Sequence, residues 1–173
     1  MRREGGFTLI ELMVVVALIA VLATIAIPSF FRESSRSKAE SEVAAMFGEL
    51  KVREEQYHLE NGAYFSTGAS ETDSWPAAPD RQKQSIYPLP ASWQTLKVTP
   101  AEQSVVCTYV AIAGGPGDAA GNMATSPPFN FTVPNANWYY VLAHCDMDGS
   151  SAIDGYFFSS SVDSAIQKVN PSR

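Results

Sequence analysis

The sequence is poor in charge, in basic residues and in the motifs that perform chemistry. Charged residues make up 17% of its 173 residues, and 12 Lys and Arg stand against 18 Asp and Glu, for a net charge of −6. An acidic balance with no Lys/Arg stripe argues against nucleic acid as a partner. No phosphate-binding glycine loop, H-E-x-x-H zinc motif or G-x-S-x-G serine motif occurs. The sequence therefore predicts a protein that is not an enzyme.

Cysteine and histidine are too rare for a structural zinc site. Cys107 and Cys145 cannot supply four thiolates, and His58 and His144 are not at zinc-finger spacing. One histidine falls in a predicted helix and the other in a predicted strand, so both are expected to be structural. If the chain is exported, the two cysteines are expected to form one disulfide that closes a long loop. Two unpaired buried thiols are the alternative.

What the sequence does contain is a long apolar run near its start. Residues 7–31 are long enough to cross a bilayer as a helix, which takes about 20 apolar residues. Residues 12–27 are apolar except for Thr24. No small-residue cleavage site with a polar flank follows promptly, unlike in an ordinary secretory signal. Because Arg2 and Arg3 precede the run, its start is expected in the cytoplasm and the rest of the chain outside.

One carboxylate, Glu11, lies close to the start of this apolar run. An ionised carboxylate in hydrocarbon costs roughly 2.5 kcal/mol or more, even on the mildest scale. A plain membrane anchor gives no reason to accept that cost. Glu11 is therefore a candidate functional residue.

The residues around Glu11 resemble the leader and N-terminus of type IV pilins and type II secretion pseudopilins. Residues 6–11, GFTLIE, match the family pattern of a short basic leader that ends in Gly and continues as Phe-Thr-Leu-Ile-Glu before a long apolar run. Gly6, Phe7 and Glu11 fall on the family's fixed positions. Pro28 falls on its helix-kinking proline.

The resemblance implies a maturation route and a set of partners. A prepilin peptidase would cut between Gly6 and Phe7, and the new amino group of Phe7 would be methylated. That amino group, in the same subunit or a neighbour, is the expected partner of Glu11 during assembly, because a buried carboxylate needs a cationic or hydrogen-bonding partner. Further implied partners are other pilins in a homo- or hetero-oligomeric filament, the inner-membrane assembly machinery and, before assembly, membrane lipid. The implied location is the bacterial inner membrane first and a cell-surface filament afterwards.

The sequence predicts that the helix continues beyond the apolar run. Pro28 either ends the membrane helix or kinks it, and the kink is favoured because good helix formers follow. An apolar stripe then recurs at helical spacing, formed by Ala39, Val43, Met46, Phe47, Leu50 and Tyr57. The charged residues between them, Glu54 included, are expected on other faces. Asn61 and Gly62 predict the end of the helix, with a left-handed cap.

The C-terminal part carries segments with strand character, joined by Gly, Pro and Asn turns. These segments are residues 104–113, 129–133, 138–144 and 156–159. They predict an antiparallel meander across which Cys107 and Cys145 could meet. The predicted fold is therefore α+β: a long N-terminal α-helix, kinked at Pro28 between an apolar and an amphipathic half, packed on a C-terminal antiparallel β-sheet of about four strands.

The predicted organisation has five parts. They are a leader over residues 1–6, a transmembrane or filament-core helix over 7–31, an amphipathic helix over 32–61, a variable connecting loop over 62–103, and a sheet-bearing head with a C-terminal tail over 104–173.

Two short motifs leave alternatives open. Asp146, Asp148 and Asp154 are weak candidates for Ca²⁺ ligands, but their spacing is not that of an EF-hand loop, and Asp148 followed by glycine is favoured as a turn. The prediction is no metal and no cofactor, with calcium as the alternative. Residues 130–132, Asn-Phe-Thr, match the N-glycosylation sequon, which is common by chance and here falls inside a predicted strand.

The resemblance implies a structural subunit, a major or minor pilin of a type IV pilus used for motility, adhesion or DNA uptake. The alternative on the same scaffold is a type II secretion pseudopilin, the piston subunit of a pseudopilus. A calcium ion would favour the pseudopilin, whereas the cysteine pair and the size favour the pilin. A different class is a single-span anchored protein that binds or hydrolyses a ligand, which predicts no cut after Gly6 and no fibres.

Overall fold

The computed structural model describes residues 7–147 and 154–171. Its internal contacts divide the chain into two compact units, Met1–Ser35 and Arg36–Arg173. The first unit is helical from Leu9 onward. The second contains the remainder of the same helix, the loops and the β-sheet.

The predicted long helix is present as α1, which covers Leu9–Asn61 without interruption. The helix passes through Pro28, so the alternative that it ends there is wrong, while the kink stays a prediction. The helix stops where the Asn-Gly pair predicts: Gly62 has a φ of +76° and donates its N–H to the carbonyl oxygen of His58 at 2.8 Å. Glycine adopts this left-handed conformation without the steric penalty of a side chain.

The predicted apolar stripe of α1 is confirmed in the second unit. Ala39, Val43, Met46, Phe47 and Leu50 are buried, and Tyr57 packs half-buried against them. The expectation for Glu54 is wrong, because this residue occupies the stripe between Leu50 and Tyr57 and its side chain is 0% exposed. Spacings of four and three residues put all three on one helix face.

Four antiparallel strands form the main sheet, each hydrogen-bonded to the next in chain order. The strands are β3 (Cys107–Gly114), β4 (Trp138–Cys145), β5 (Gly155–Ser160) and β6 (Gln167–Val169). A separate two-stranded sheet pairs β1 (Gln84–Ser85) with β2 (Ser104–Val105), and two short helices, α2 (Ala91–Thr95) and α3 (Asn122–Thr125), lie in the connections. The α+β meander on one long helix agrees with the predicted fold.

The strand predicted over residues 129–133 is wrong. This segment has no regular secondary structure, and the fourth strand of the sheet is β6. The alternation that suggested a strand has another cause: Phe129 and Phe131 point onto the sheet and pack on Phe158, with ring centroids 5.0 and 5.9 Å away. The period-2 pattern therefore reports a loop lying on an apolar face rather than a strand that pairs with neighbours.

Both faces of the sheet are covered by apolar groups. On one face the α1 stripe packs against inward residues of β3 and β4 such as Tyr109, Ala111 and Val141. On the other face a second cluster forms around Trp138, Tyr140 and the segment that follows α3. Its buried members are Val110, Ala124, Phe129, Phe131, Trp138, Tyr140, Leu142 and Phe158. A sheet buried on both faces explains why β3 and β4 are continuously apolar.

The connecting loop covers the outer edge of β3. Thr67 donates its N–H to the carbonyl oxygen of Ala111 at 2.8 Å, and Trp75 exchanges two backbone hydrogen bonds with Tyr109 at 2.8 and 2.9 Å. Further along, the N–H of Asp80 reaches the carbonyl oxygen of Val106. An open strand edge would otherwise be available for pairing with another chain. The loop therefore completes the sheet at this edge.

Two carboxylates form hydrogen bonds that join these layers. Glu42 on α1 accepts hydrogen bonds from the N–H groups of Val106 and Cys107, both at 3.0 Å, and from the hydroxyl of Tyr109 at 2.8 Å. Glu71 in the connecting loop does the same on the other face. It accepts from the N–H groups of Met123 and Ala124 at 2.9 Å and from the Tyr140 hydroxyl at 3.0 Å.

Candidate functional site

The first candidate site is the apolar surface at the start of α1. Leu9–Ile27 is long and apolar enough to cross a membrane, with a mean hydropathy of 2.8, and none of it is buried within the chain. Most of its large side chains are more than half exposed, for example Leu18 at 61% and Leu22 at 65%. Monomeric soluble proteins rarely leave a contiguous apolar surface of this size open to water. This segment requires lipid or other protein chains around it.

Glu11 lies at the N-terminal end of this surface, within a capping box. Its Oε2 accepts hydrogen bonds from the N–H of Thr8 at 2.9 Å and from the Thr8 hydroxyl at 2.7 Å. The N–H of Glu11 returns a bond to the Thr8 hydroxyl oxygen at 3.3 Å. This reciprocal arrangement satisfies backbone donors that a helix start leaves unpaired.

The role of Thr8 was not predicted, although the sequence carries the signal. Thr8-Leu9-Ile10-Glu11 has the Thr-x-x-Glu spacing of a capping box directly before an apolar run. The carboxylate of Glu11 therefore has partners within its own subunit. Any contact with an amino group at Phe7 has to compete with these bonds or add to them.

Of the other predicted N-terminal residues, the structure describes Phe7 and Pro28 but not Gly6. Gly6 lies outside the described residues, so the predicted cut between Gly6 and Phe7 stays a prediction, as does methylation of Phe7. Phe7 itself is described and is 86% exposed. Pro28 lies inside α1, as the fold shows.

The predicted disulfide is confirmed. Cys107 and Cys145 are directly opposite each other on β3 and β4, with Cα atoms 4.3 Å apart, and their sulfurs are bonded. Both residues are 0% exposed and belong to the core beneath α1. The bond joins the start of one strand to the end of the next and closes the segment between them.

The predicted acidic candidates do not form a described metal site. Asp148 lies outside the described residues, and among those described no cluster of three metal-binding side chains occurs. Asp154 lies instead beside His144, with Oδ2 and Nε2 2.8 Å apart at an ion-pair distance but without hydrogen-bond alignment. The prediction of no metal, with calcium as the alternative, is therefore untested.

Both histidines contact aromatic rings, in agreement with structural roles. The ring of His144 stacks on Tyr156 with centroids 4.7 Å apart, and the ring of His58 stacks on Tyr64 at 4.3 Å. Such contacts give each imidazole an apolar face to pack against.

Glu54 is the second carboxylate in an unexpected environment. One oxygen, Oε2, accepts the N–H of Phe65 at 2.9 Å, while Oε1 is buried and has no hydrogen-bond partner among the described residues. Burial raises the pKa of Glu54 to about 8; the Phe65 N–H opposes this shift and the charge of Glu55 adds to it. At neutral pH the side chain is therefore predominantly a neutral carboxylic acid.

Comparison with known proteins identifies one matching family motif and several similar proteins. The family model described as "Prokaryotic N-terminal methylation motif" matches residues 1–27. The chain is 37% identical over 70 residues to the type IV wide pilus major component PilA4 of Thermus thermophilus. The matched residues are 40% of this chain and 53% of that protein. It is 36% identical over 70 residues to the type II secretion system core protein G of Klebsiella pneumoniae, covering 39% and 47%.

A longer match extends beyond the N-terminal helix. The fimbrial protein of Dichelobacter nodosus is 34% identical over 121 residues, which are 70% of this chain and 73% of that protein. The chain spans about half the length of the first two relatives. No solved structure matches significantly. Together, the matched N-terminal motif, the long match to a fimbrial protein and the observed α+β fold show that the chain belongs to the type IV pilin family.

Proposed function

We propose that the chain is the precursor of a type IV pilus subunit, held in the inner membrane by residues 7–31 and then assembled into an extracellular filament. The observation that carries the proposal is the unburied apolar surface of Leu9–Ile27. In the membrane it is covered by lipid. In a filament it would be covered by the same segment of other copies, so assembly exchanges lipid contacts for protein contacts.

Processing is the second part of the proposal. A prepilin peptidase cuts between Gly6 and Phe7, and the exposed position of Phe7 suits both the cut and methylation of the new amino group. Removing residues 1–6 puts a positive charge one residue before Thr8 and one helical turn before Glu11. The carboxylate and the amino group, on the same or on neighbouring subunits, then favour one axial register of the helices.

Intact mass of the protein from its native cells tests the processing. The expected mass is that of a chain starting at methylated Phe7 with two fewer hydrogens for the disulfide. A full-length chain with residues 1–6 attached would contradict the proposal. Replacing Gly6 by a bulky residue serves as the second arm, and normal filament yield from that variant would also contradict it.

Glu11→Gln tests the assembly role. The substitution keeps one oxygen that can accept from Thr8 but removes the charge, so we expect normal membrane insertion and leader cleavage with at least a tenfold loss of surface filaments. Shearing the cells and quantifying the released subunit measures this loss. Glu33→Gln, outside the candidate span, is the matched control. Filaments at the parent level from Glu11→Gln would rule out the register role.

The type II secretion pseudopilin is the second candidate, favoured by the similarity to core protein G. Deleting the gene separates the two. Loss of surface filaments with normal protein secretion supports the pilus subunit. Loss of secretion with filaments intact supports the pseudopilin.

A further inference from the structure

The Asn-Phe-Thr motif at residues 130–132 stands on an exposed loop rather than in a strand. Phe129 and Phe131 are 6% and 8% exposed, whereas Asn130 and Thr132 are both exposed. Buried and exposed residues alternate here because each phenylalanine packs into the cluster on the sheet face opposite α1. The alternation turns Asn130 and Thr132 to the outside together.

The backbone holds this presentation in place. Asn130 and Phe131 donate their N–H groups to the carbonyl oxygens of Ser126 at 3.2 Å and Ala124 at 2.7 Å. Phe131 lies 5.5 Å from the ring of Tyr140 and 5.7 Å from that of Trp138. The motif is thus a fixed surface turn, anchored from beneath by its middle residue.

The amide side chain of Asn130 is accessible. Its Nδ2 donates to the carbonyl oxygen of Pro128 at 3.3 Å, a long bond that is easily exchanged for another partner. Asn130 has a φ of +51°, and this conformation favours asparagine, aspartate or glycine at the position. The turn therefore accounts for the asparagine, but it does not require a hydroxyl at residue 132.

We infer that Asn130 is an N-glycosylation site, modified on the extracytoplasmic side of the membrane. The sequon requires an asparagine, any residue but proline, and a serine or threonine, normally in a surface loop of an exported protein. Residues 130–132 satisfy the sequence pattern and lie in a surface loop. The inference rests on the proposed function only in placing the head outside the cytoplasm.

The co-reactant is an oligosaccharide linked to a polyprenyl diphosphate, supplied to a membrane-bound transferase. Nδ2 of Asn130 attacks the anomeric carbon of the sugar, and a carbon–nitrogen bond forms. The bond from that carbon to the diphosphate oxygen breaks, and the lipid diphosphate leaves with the electron pair. The displaced proton of Nδ2 passes to a base of the transferase. No oxidant or reductant is involved.

The chain contains its own comparison sites. Asn122 is exposed a few residues earlier, but Ala124 stands where the hydroxyl residue is needed. Asn170 is followed by Pro171, which disqualifies that motif although a serine follows. Modification confined to Asn130 would therefore report the sequon and not mere exposure of an asparagine.

The test is intact mass and glycopeptide fragmentation of the full chain from its native cells. We expect a discrete oligosaccharide increment, assigned to Asn130. Thr132→Ser keeps the sequon and should keep the increment, whereas Thr132→Val keeps the side-chain shape and should abolish it. Asn130→Gly and Asn130→Asp both suit the backbone and should abolish it as well.

The outcomes separate this inference from the proposed function. An unmodified Asn130 in the parent chain, or an increment that survives Thr132→Val, overturns the inference, even if filaments form normally. A sugar at Asn130 on a chain that keeps its leader and forms no filaments supports the inference and contradicts the proposed function. Circular dichroism of each variant confirms that a lost increment does not reflect a lost fold.

Discussion

Glu54 is buried, although a glutamate is expected at the solvent-exposed surface. The helical stripe contains Leu50, Glu54 and Tyr57, and Glu54 is completely buried, with one oxygen that has no hydrogen-bond partner among the described residues. Spacing alone indicated this face of α1, but the residue type indicated the solvent. At this position the periodicity predicts the direction of the side chain correctly and the polarity of the residue does not. What the sequence could not supply was the local backbone, Phe65, that partly satisfies the carboxyl group.

The raised pKa of Glu54 makes stability depend on pH. The folded value is about 8 against 4.5 for an ordinary glutamate, so the folded state holds the proton more tightly than the unfolded state. Its contribution is therefore complete below pH 4.5 and is lost as the pH rises through 8. Glu54→Gln mimics the neutral form. We expect the stability of this variant, relative to the parent, to increase by up to about 5 kcal/mol between pH 4.5 and pH 8, at about 1.4 kcal/mol for each unit of difference between the folded and unfolded pKa.

Urea unfolding of the detergent-solubilised full chain, followed by tryptophan fluorescence, measures this change. Trp93 and Trp138 are buried and report on the head. Glu60→Gln on the same helix is the control, because Glu60 is exposed and its ion pair with Lys97 lies on the surface. A stability difference for Glu54→Gln that does not vary with pH would contradict the assignment of a buried neutral carboxyl.

Glu42 joins α1 to the sheet. It accepts two backbone N–H groups at the β2–β3 junction and the hydroxyl of Tyr109, which is itself buried. Burial raises the pKa of Tyr109 well above its ordinary value, and the Glu42 charge adds to this, so the phenol remains a donor. Removing the carboxylate leaves these donors without a partner inside the protein.

We expect Glu42→Ala to destabilise the head by at least about 2 kcal/mol, since each buried donor left unsatisfied costs about 1–3 kcal/mol. Glu42→Gln retains one acceptor oxygen and should lose less. Glu102→Gln, an exposed surface position, should change stability by well under 1 kcal/mol. Chemical unfolding measures the free energy of unfolding of the three variants. Equal losses of stability for Glu42→Ala and Glu102→Gln would show that Glu42 does not stabilise the packing of α1 on the sheet.

Helix and strand predictions succeeded or failed for identifiable reasons. Helix α1 is predictable because its apolar residues recur at helical spacing and an Asn-Gly pair marks its end. The strands β3, β4 and β5 are predictable because their runs are apolar and β-branched or aromatic. Strand β6, QKV, is polar and short and gives almost no signal, whereas residues 129–133 give a false one. Alternation identifies a chain lying on an apolar surface, and only the tertiary structure tells whether that chain also pairs.

The candidate site was predictable in a different way. Phe7 and Glu11 were found from a motif, whereas Thr8 follows from the rule for helix starts and was overlooked. The disulfide was predicted from composition and export together. Glu42 and Glu71 could not be found, because each bonds to backbone groups of segments far away in the sequence, and nothing local marks such a carboxylate.

The molecule separates an exposed apolar segment from a self-sufficient head. Among the described residues, the buried apolar side chains begin at Ala39, and both clusters lie within the second unit. The disulfide, Glu42 and Glu71 also act within that unit. The described members of this core are all residues of the second unit.

We therefore expect a chain that begins at Arg36, exported to an oxidising compartment, to fold as a soluble monomer. Circular dichroism should show helix and sheet, size-exclusion chromatography should give a single monomeric peak, and mass measurement should show two hydrogens lost to the disulfide. Cys107→Ser combined with Cys145→Ser is the informative variant. It should lose about 4 kcal/mol of stability in the chain-entropy description. An aggregated or unfolded fragment would show that the N-terminal segment contributes to the head's core.

The loop along the edge of β3 has a consequence for altering the protein's surface. Its backbone is hydrogen-bonded to β3 at Thr67 and Trp75, and to Val106 just before β3 at Asp80. Eight positions separate Thr67 from Trp75, whereas two separate their partners Ala111 and Tyr109, so the chain between these anchors leaves the strand edge. Beyond Asp80 the chain is exposed at Arg81 and Gln82, and added residues there leave all three anchors unchanged. A peptide epitope displayed on this protein thus belongs at Arg81, because the stretch before it carries the three backbone anchors and the hydrogen-bonded side chain of Glu71.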